Sequence, residues 1–489
     1  MSDLKLLQNQ ALIKKNFNLD AYKKQLSKAQ QDLTLVSDPL AIAGAFVKWG
    51  ASEIPVVGGA LNFLVGIFWP TTDVDVWSSI KDKVKELVGD EIDAEEWTVL
   101  QNKINEVKDK LNTYGEQLQQ GEYDLALNSF NALLTFLDGV EENFKLTGSK
   151  FALSFTPLYA MIINLKITFF VESYRGRYDM GLTFNQIAAI KNDLASTVNN
   201  ATSYLSNLEQ SAINYTGISY TNPRVVFCRY YYISVISFVN KLWSSNIDDY
   251  INPTDVFQCR IPLCAYGSFP NYFDENGNMV YLSVEDIIAC CRDGSNTEMD
   301  SEDSKGNIQV PRITQMTGAN DIAEIGIAQD KSPISRCTGI RCEVNTIASP
   351  GSDPVSVTLD FGKTPTTHFD PDYTVFFTNQ AFGYNHINKI SVWAEIFVSR
   401  VGFYSLEGTQ IEIGEINDPD YRDDTTIPQP YNLCTMMGTS DYLPYYMSPS
   451  FQSGHSLGGI GFSGIYNNDL AKSMLQTAAN TMYSQFLTE

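Results

Sequence analysis

From the N-terminus to about residue 246, apolar residues recur every three or four positions with few breakers between them. That period predicts helices near 3–33, 38–50, 58–69, 74–92, 94–119, 122–144, 156–175, 183–212 and 221–246, joined by short loops as in a bundle. From about 251 the pattern changes. Short β-branched and aromatic runs (VSVTLDF, YTVFFTN, NKISVWAEIFVSRVGFYS, TQIEIGEI) alternate with Gly, Pro, Asn and Asp, which predicts strands and turns. DENGNM (274–279) predicts a hairpin turn, because Asn-Gly suits positive φ. The acidic stretch 293–307 predicts an exposed loop, and NDLAKSMLQTAANTMYSQFL at the end predicts one more helix. The expected fold class is multi-domain α and β: a bundle of seven to eight helices around a central hydrophobic helix, then a β-rich domain. The expected divisions are 1–37 as an N-terminal helix and activation segment, 38–250 as the bundle, and 251–489 as the β-rich part.

Two neighbouring helices stand out. Thr156 to Tyr174, TPLYAMIINLKITFFVESY, is apolar around nearly its whole circumference, so it belongs inside the bundle. Thr156 is placed to cap it, Pro157 to sit in its first turn, and Arg175 and Arg177 to face its negative C-terminal end. At 1.5 Å per residue it reaches ~28 Å, close to the ~30 Å hydrocarbon core of a bilayer. In the preceding helix the polar residues Asp124, Asn128, Asn131, Thr135, Asp138 and Glu142 alternate at intervals of four and three. They form one stripe, with Leu125, Leu127, Phe130, Leu133, Leu134, Phe136 and Leu137 covering the rest. In water this stripe is the solvated face of an outer helix. In lipid it would have to face water, and a ring of such stripes would line a cation-preferring pore. The candidate pore-lining residues are therefore Asp124, Asn128, Asn131, Thr135 and Asp138, with Asn164 from the apolar helix. Pro55-Val56-Val57-Gly58-Gly59 is either a hinge or a tight interhelix turn.

Composition narrows the function classes. At 44% hydrophobic and 12% aromatic the 489 residues can build large cores. A net charge of −23 argues against nucleic acid as a partner. The first twenty residues lack an apolar signal core, and no uninterrupted apolar run of about 20 residues occurs, so the expectation is a chain made soluble inside the cell or as an inclusion. GHSLGG (454–459) contains G-x-S-x-G, the turn that exposes a hydrolase serine. That turn needs a strand before it, a helix after it and a histidine further on. The three histidines are His368, His386 and His455, and none follows Ser456, so no catalytic residue is assigned and the stretch reads as a glycine-rich turn between strands. All eight cysteines lie at 228 or beyond. Cys259/Cys264 and Cys337/Cys342 share a C-x4-C spacing that zinc could use, but buried thiols are the plainer reading, and no metal or cofactor is assigned.

The helical half also resembles a known family. FVKWGASEIPVVGGALNFLVGIFWP (46–70), with Trp77 and VKELVGDEI (84–92), resembles the early helices of the insecticidal crystal δ-endotoxins and the larger component of the binary Pir toxins. FTPLYAMIINLKITFFVESYRGRYDMGLTF (155–184) resembles their central helix block through Leu158-Tyr159-Ala160, Asn164-Leu165 and Glu172. GVEENF (139–144) is similar to the Pir-type pattern, and NPRVVFCRYYYISVISFVNKLWSSNIDDY (222–250) to the last helix. The sequence departs from the pattern at Lys166, where histidine is usual, and at Val171, where arginine is usual. The resemblance implies a soluble seven-helix bundle that inserts a helical hairpin and forms a pore as a homo-oligomer. It also implies target-cell membrane lipids as partners, clipping near Lys14-Lys15 or Lys23-Lys24, and a second toxin component as a candidate partner.

In the β half, AFGYNHINKISVWAEIFVSRVGFYSLEGTQIEIGE (381–415) is similar to the jacalin-type β-prism pattern, with a jelly-roll sandwich as the alternative. That part would bind a membrane glycoprotein or glycan receptor. Tyr384, Asn385 and His386, an aromatic platform beside polar groups, are its candidate site, or else ordinary turn residues. The competing functional reading is a lectin-like or crystal-forming storage protein without pore activity.

Overall fold

The computed structural model describes residues 12–34 apart from 14, 39–69, 94–145, 152–213, 221–253, 257, 259–267, 270–273, 279–281, 321–330, 337–346, 355–362, 373–376, 387–394, 398–405, 410–414, 422–442 and 455–486, with a few single residues between them. The expected helix at 74–92 and the acidic stretch 293–307 lie almost wholly outside these residues. Two compact units are formed, one from Met1–Ile218, Tyr230–Gln258 and Asn468–Glu489, the other from Ser219–Arg229 and Cys259–Asn467.

The first unit is helical. Its long elements are α1 (Leu19–Thr34), α2 (Pro39–Glu53), α3 (Gly59–Phe68), α4 (Ala94–Gln120), α5 (Tyr123–Phe144), α6 (Ala152–Arg175) and α7 (Phe184–Ile213). The helix α8 (Thr221–Tyr231) is grouped with the second unit as far as Arg229, while the wider π-type turns that continue it over Tyr232–Ile236 and Phe238–Leu242, and a single turn, α9 (Asp248–Ile251), belong to the first. The N-terminal segment, expected as one helix over 3–33, is broken at Phe17 and Asn18, where the Asn18 side chain accepts from the Ala21 N–H and starts α1 afresh. Helices α2 and α3 are apolar on nearly every side and almost wholly buried. Phe46 and Phe63 stack at 4.1 Å between them. Gly44 lets α2 approach the π-type segment, since a Cβ there would come within 2.9 Å of Leu242.

The last helix, α10 (Asn468–Tyr483), corrects the expected division at 251–489. It folds with the helical unit and not with the strands that precede it. Its apolar face, Ala471, Leu475, Ala478, Ala479 and Met482, is buried, and a one-faced helix of this kind needs a helical surface to cover it. Tyr483 stacks on Tyr22 at 5.7 Å, Phe486 on Phe17 at 5.8 Å, and Gln476 donates to Glu53 at 3.0 Å, so the C-terminus clasps α1 and α2.

The second unit is built from antiparallel strands. A seven-stranded sheet runs β1 (Arg260–Gly267), β13 (His455–Tyr466), β9 (Val398–Ser405), β8 (Ile387–Ala394), β11 (Arg422–Thr426), with β10 (Gln410–Gly414) on β9 and β12 (Tyr431–Tyr442) on β13. A four-stranded sheet runs β6 (Val355–Gly362), β5 (Cys337–Thr346), β4 (Asp321–Asp330), β7 (Tyr373–Phe376). The strands β2 (Pro270–Phe273) and β3 (Met279–Tyr281) pair antiparallel on either side of the predicted DENGNM turn. Each of the alternating runs quoted above contains a strand among the described residues, as period-two spacing predicts.

Buried phenols make the helical unit sensitive to alkali. Burial pushes the Tyr22 hydroxyl up from 10.0 to about 12, although the Gln119 amide donates to it at 3.0 Å. Burial likewise raises Tyr114, Tyr250 and Tyr483. The folded chain therefore keeps these protons where the unfolded chain loses them. Their contribution is complete below pH 10 and is lost as the pH climbs above it, at up to about 1.4 kcal/mol per pH unit for each phenol. Urea midpoints followed by helical circular dichroism are expected to fall steeply between about pH 10 and 12, and Tyr22→Phe is expected to flatten that fall. A midpoint independent of pH in this range would contradict the burial of these rings.

Candidate functional site

The site is the hairpin of α5 and α6. Every side chain from Phe155 to Tyr174 is buried, and Phe155–Arg175 is a helix long and apolar enough to cross a membrane. The helix begins at Ala152, one turn before the expected start, so Thr156 is an interior residue and not its cap, and Pro157 lies inside the helix. The reason is that Phe155, just ahead of Thr156, is drawn into the core. At the other end the expectation holds. Arg175 Nη2 donates to the Ile54 carbonyl at 2.8 Å and Arg177 Nη1 to the Tyr174 carbonyl at 2.6 Å, both near the negative end of the helix dipole.

The central helix is not purely apolar, and its buried polar groups fall into two sets. One set joins it to α5. Lys166, 4% exposed, donates to Asp138 at 2.5 Å and to Glu141 at 2.7 Å, and Tyr159 donates to Glu141 at 3.1 Å. Phe130 and Phe169 stack at 5.4 Å across the same pair of helices. A third acid, Asp193 on α7, is held above its ordinary value, by burial first and by Asp138 second, against the pull of Lys166. The Lys166 ammonium thus has its counter-charges on the neighbouring helix. The second set ties the hairpin to the rest of the unit. Trp243 Nε1 donates to Asn164 Oδ1 at 2.7 Å, and Tyr114 and Ser173 share a hydrogen bond at 2.8 Å. Glu172, fully buried, accepts from Arg175 at 2.7 Å and from the Gly58 backbone N–H.

Gly58 is where this second set depends on glycine. Its φ is +85°, and a Cβ would lie 2.5 Å from the Gly115 carbonyl oxygen. The turn Pro55–Gly58 between α2 and α3 is therefore tight and buried, held against α4 on one side and Glu172 on the other.

On α5 the stripe Asp124, Asn128, Asn131, Thr135, Asp138 and Glu142 is exposed throughout, while Ala126, Phe130, Leu133, Leu137, Val140, Glu141 and Phe144 face inward. Leu125, expected among the covered apolar residues, stands 52% exposed. The structure brings Asp124, Asn128, Asn131, Thr135 and Asp138 together on one face, and it separates Asn164 from them, deep in the core beside Trp243. Sequence reasoning missed Glu141 and Trp243. A lone lysine in an apolar helix was the signal for the first: it demands an acid, and the antiparallel neighbour is the nearest place for one.

The other candidates come out differently. Ser456 lies within strand β13, opposite Asp441 of β12, so His455 to Gly459 of that string are strand and form neither a turn nor a strand-to-helix elbow. The strand that holds it has pairing partners on both sides. Cys228, Cys259 and Cys264 are buried thiols, and burial pushes Cys264 up to about 11. Cys337 and Cys342 lie on β5, and among the described residues no three His, Cys, Asp or Glu side chains converge as metal ligands would. Tyr384, Asn385 and His386 lie outside the described residues.

Comparison with known proteins bears on the same hairpin. Residues 46–245 match the family model "delta endotoxin, N-terminal domain". No curated protein matches the sequence. Among solved structures, PirB shares 17% identity at a TM-score of 0.63, over 89% of this chain and 96% of PirB. The insecticidal delta-endotoxin Cry8Ea1 from Bacillus thuringiensis shares 12% at 0.58, over 91% of this chain and 74% of that one. The mosquito-larvicidal Cry4Aa toxin from Bacillus thuringiensis shares 11% at 0.57, over 88% and 74%. At these identities the structures establish a shared fold.

Proposed function

We propose, from the premise that residues 46–245 carry a delta endotoxin N-terminal domain, that the protein is a δ-endotoxin-type toxin acting on target-cell membranes. The α5–α6 hairpin leaves the bundle and enters the bilayer. The observation that carries this reading is the division of the buried polar contacts. The ionic set, Lys166 with Asp138 and Glu141, lies within the hairpin and travels with it as an ion-paired cluster, its one surplus negative charge on the solvent-facing Asp138, which lipid tolerates far better than a buried lone charge. The contacts to Trp243, Tyr114 and Gly58 lie outside it, and these must be exchanged for lipid. Oligomers of inserted hairpins turn their exposed α5 stripes toward a common aqueous lumen. The strand-rich unit supplies the address, a membrane glycoprotein or glycan, with Tyr384, Asn385 and His386 as the candidate contact. A second toxin component, as binary toxins use, is a candidate partner.

Proteolytic clipping is the proposed trigger. Lys23 and Lys24 lie inside α1, where Lys23 pairs with Glu116 at 2.9 Å, so cleavage there requires α1 to loosen first. Lys15 is exposed at the start of the chain's described part and needs less opening. Turn 55–59 is the proposed hinge, freed when Glu172 releases Gly58.

Dye release from liposomes and single-channel recording of clipped protein test this reading. Asp124 is exposed and makes no contact with Lys166, which makes it the clean probe of the lumen. Asp124→Lys is expected to leave the thermal midpoint within about a degree or two, since exposed substitutions are nearly neutral. It is also expected to shift the reversal potential toward anion preference. At position 138, Asp138→Asn is the better variant, because a lysine there would confront Lys166. Liposomes that stay sealed with both clipped and intact protein would favour the storage or lectin reading instead.

A further inference from the structure

Among the described residues, the large apolar side chains most open to solvent are Val99, Leu125, Tyr178 and Phe184. Tyr178 and Phe184, at 77% and 84% exposure, belong to the turn that follows the central helix. Leu125 is level with that turn. Phe130 meets Phe169 and Asp138 meets Lys166, so the antiparallel register of the hairpin puts Leu125 alongside Arg175. Three exposed apolar groups therefore gather at the end of the hairpin where its membrane-length helix stops.

The turn that displays them is well built. Met180 N–H donates to the Gly176 carbonyl at 2.9 Å and Leu182 N–H to that of Arg177 at 2.9 Å, with Gly181 at φ +65°. Thr183 and Gln186 then close a reciprocal capping box: the Thr183 N–H donates to Gln186 Oε1 at 2.9 Å and the Gln186 N–H to Thr183 Oγ1 at 3.3 Å. Phe184 is thus held outward at the first position of α7. Arg177 lies 3.9 Å from the Tyr174 ring and 4.4 Å from the Tyr178 ring, and Lys191 stands 5.0 Å over Tyr174.

We propose that this turn, Arg177 to Phe184, is an interfacial anchor that seats in the headgroup layer of a phospholipid bilayer. The inference deepens the reading of the hairpin given above and rests on it. Aromatic rings backed by cations at the end of a spanning helix are what a membrane–water interface favours. Arg175 is paired with the buried Glu172, Lys191 with Asp248, and Arg177 is stacked on the Tyr174 and Tyr178 rings, so within a molecule of net charge −23 the turn is close to neutral and repels an anionic lipid surface less than the rest of the chain does. The side chains are exposed before insertion, so the anchor is formed without any opening of the bundle, and once the loop end has entered lipid it fixes the depth at which the hairpin stops.

The test uses the full chain, clipped, with vesicles of phosphatidylcholine containing a minority of phosphatidylserine. Tyr178→Ser/Phe184→Ser is expected to fold with an unchanged thermal midpoint, since both rings are exposed, and to co-sediment with vesicles about tenfold more weakly or worse. In Tyr178→Trp, the difference in emission against wild type, which isolates the added indole, is expected to be quenched by lipids brominated near the headgroup. Docking with that indole quenched but no dye release would leave the anchor standing and sink the insertion reading. Dye release with the indole unquenched, wild-type binding by the double variant, or no vesicle binding at all would overturn the anchor.

Discussion

Lys166→Met is expected to cost the helical unit about 3–5 kcal/mol, the largest stability effect of any single change in the hairpin. The loss comes from what is left behind. Glu141 is 7% exposed and would keep a carboxylate in the core with only the Tyr159 hydroxyl to answer it. The shorter contact, at 2.5 Å to Asp138, matters less, because that acid's side chain is 61% exposed and water screens it. Glu141→Gln in the same chain is expected to return most of the loss, since the amide oxygen still accepts from Tyr159 and no charge remains buried. Urea unfolding of the wild type, both single variants and the double variant measures this as a coupling. Additive losses would show that the two side chains act separately. The functional expectation separates this pair from the contacts of Asn164 and Glu172. Loosening the bundle at Asn164 should ease hairpin release, whereas breaking the internal pair should hinder insertion, because the hairpin would enter lipid with an unmatched acid.

How much of this was legible in the chain depends on the range of the signal. The helix of α6 and the stripe of α5 follow from spacing alone, since periods of three and four act within one element. Strand positions came through for the same reason. The partners of Lys166 did not, because they depend on which face of α5 meets α6, and sequence shows only that such an acid must exist. The placement of α10 was also hidden. Its pattern predicts an amphipathic helix but not which surface covers it, and that surface, Tyr22 and Trp49 with the rest of α1 and α2, lies more than four hundred residues away. Ser456 shows the reverse failure. A six-residue string matched a catalytic turn, yet the strand-forming pattern around it, which pairs β13 with β12 and β1, decided the local geometry.

Tethering the hairpin to α7 is expected to abolish membrane permeabilisation. Tyr159 of the central helix and Tyr204 of α7 meet edge to face with ring centroids 5.1 Å apart, near the loop end of the hairpin that leads into the bilayer. A photoreactive benzoylphenylalanine in place of Tyr204 therefore has its ketone within reach of α6, and irradiation joins the two helices covalently. Before irradiation the variant should release dye like the wild type; afterwards, release should fall to less than about a tenth, since hairpin insertion would now drag the polar face of α7, including Asp193 and the exposed Asn192, toward lipid at a cost of several kcal/mol. The same probe at exposed Asn207 controls for photodamage, because that position faces solvent. The expectation is independent of which receptor is used, because the block lies after docking. Cross-linked protein that still docks on vesicles yet fails to open them would place the block at hairpin release. Cross-linked protein that permeabilises them at the wild-type rate would mean that α6 never parts from α7, and with that the hairpin would lose its role as the inserting element.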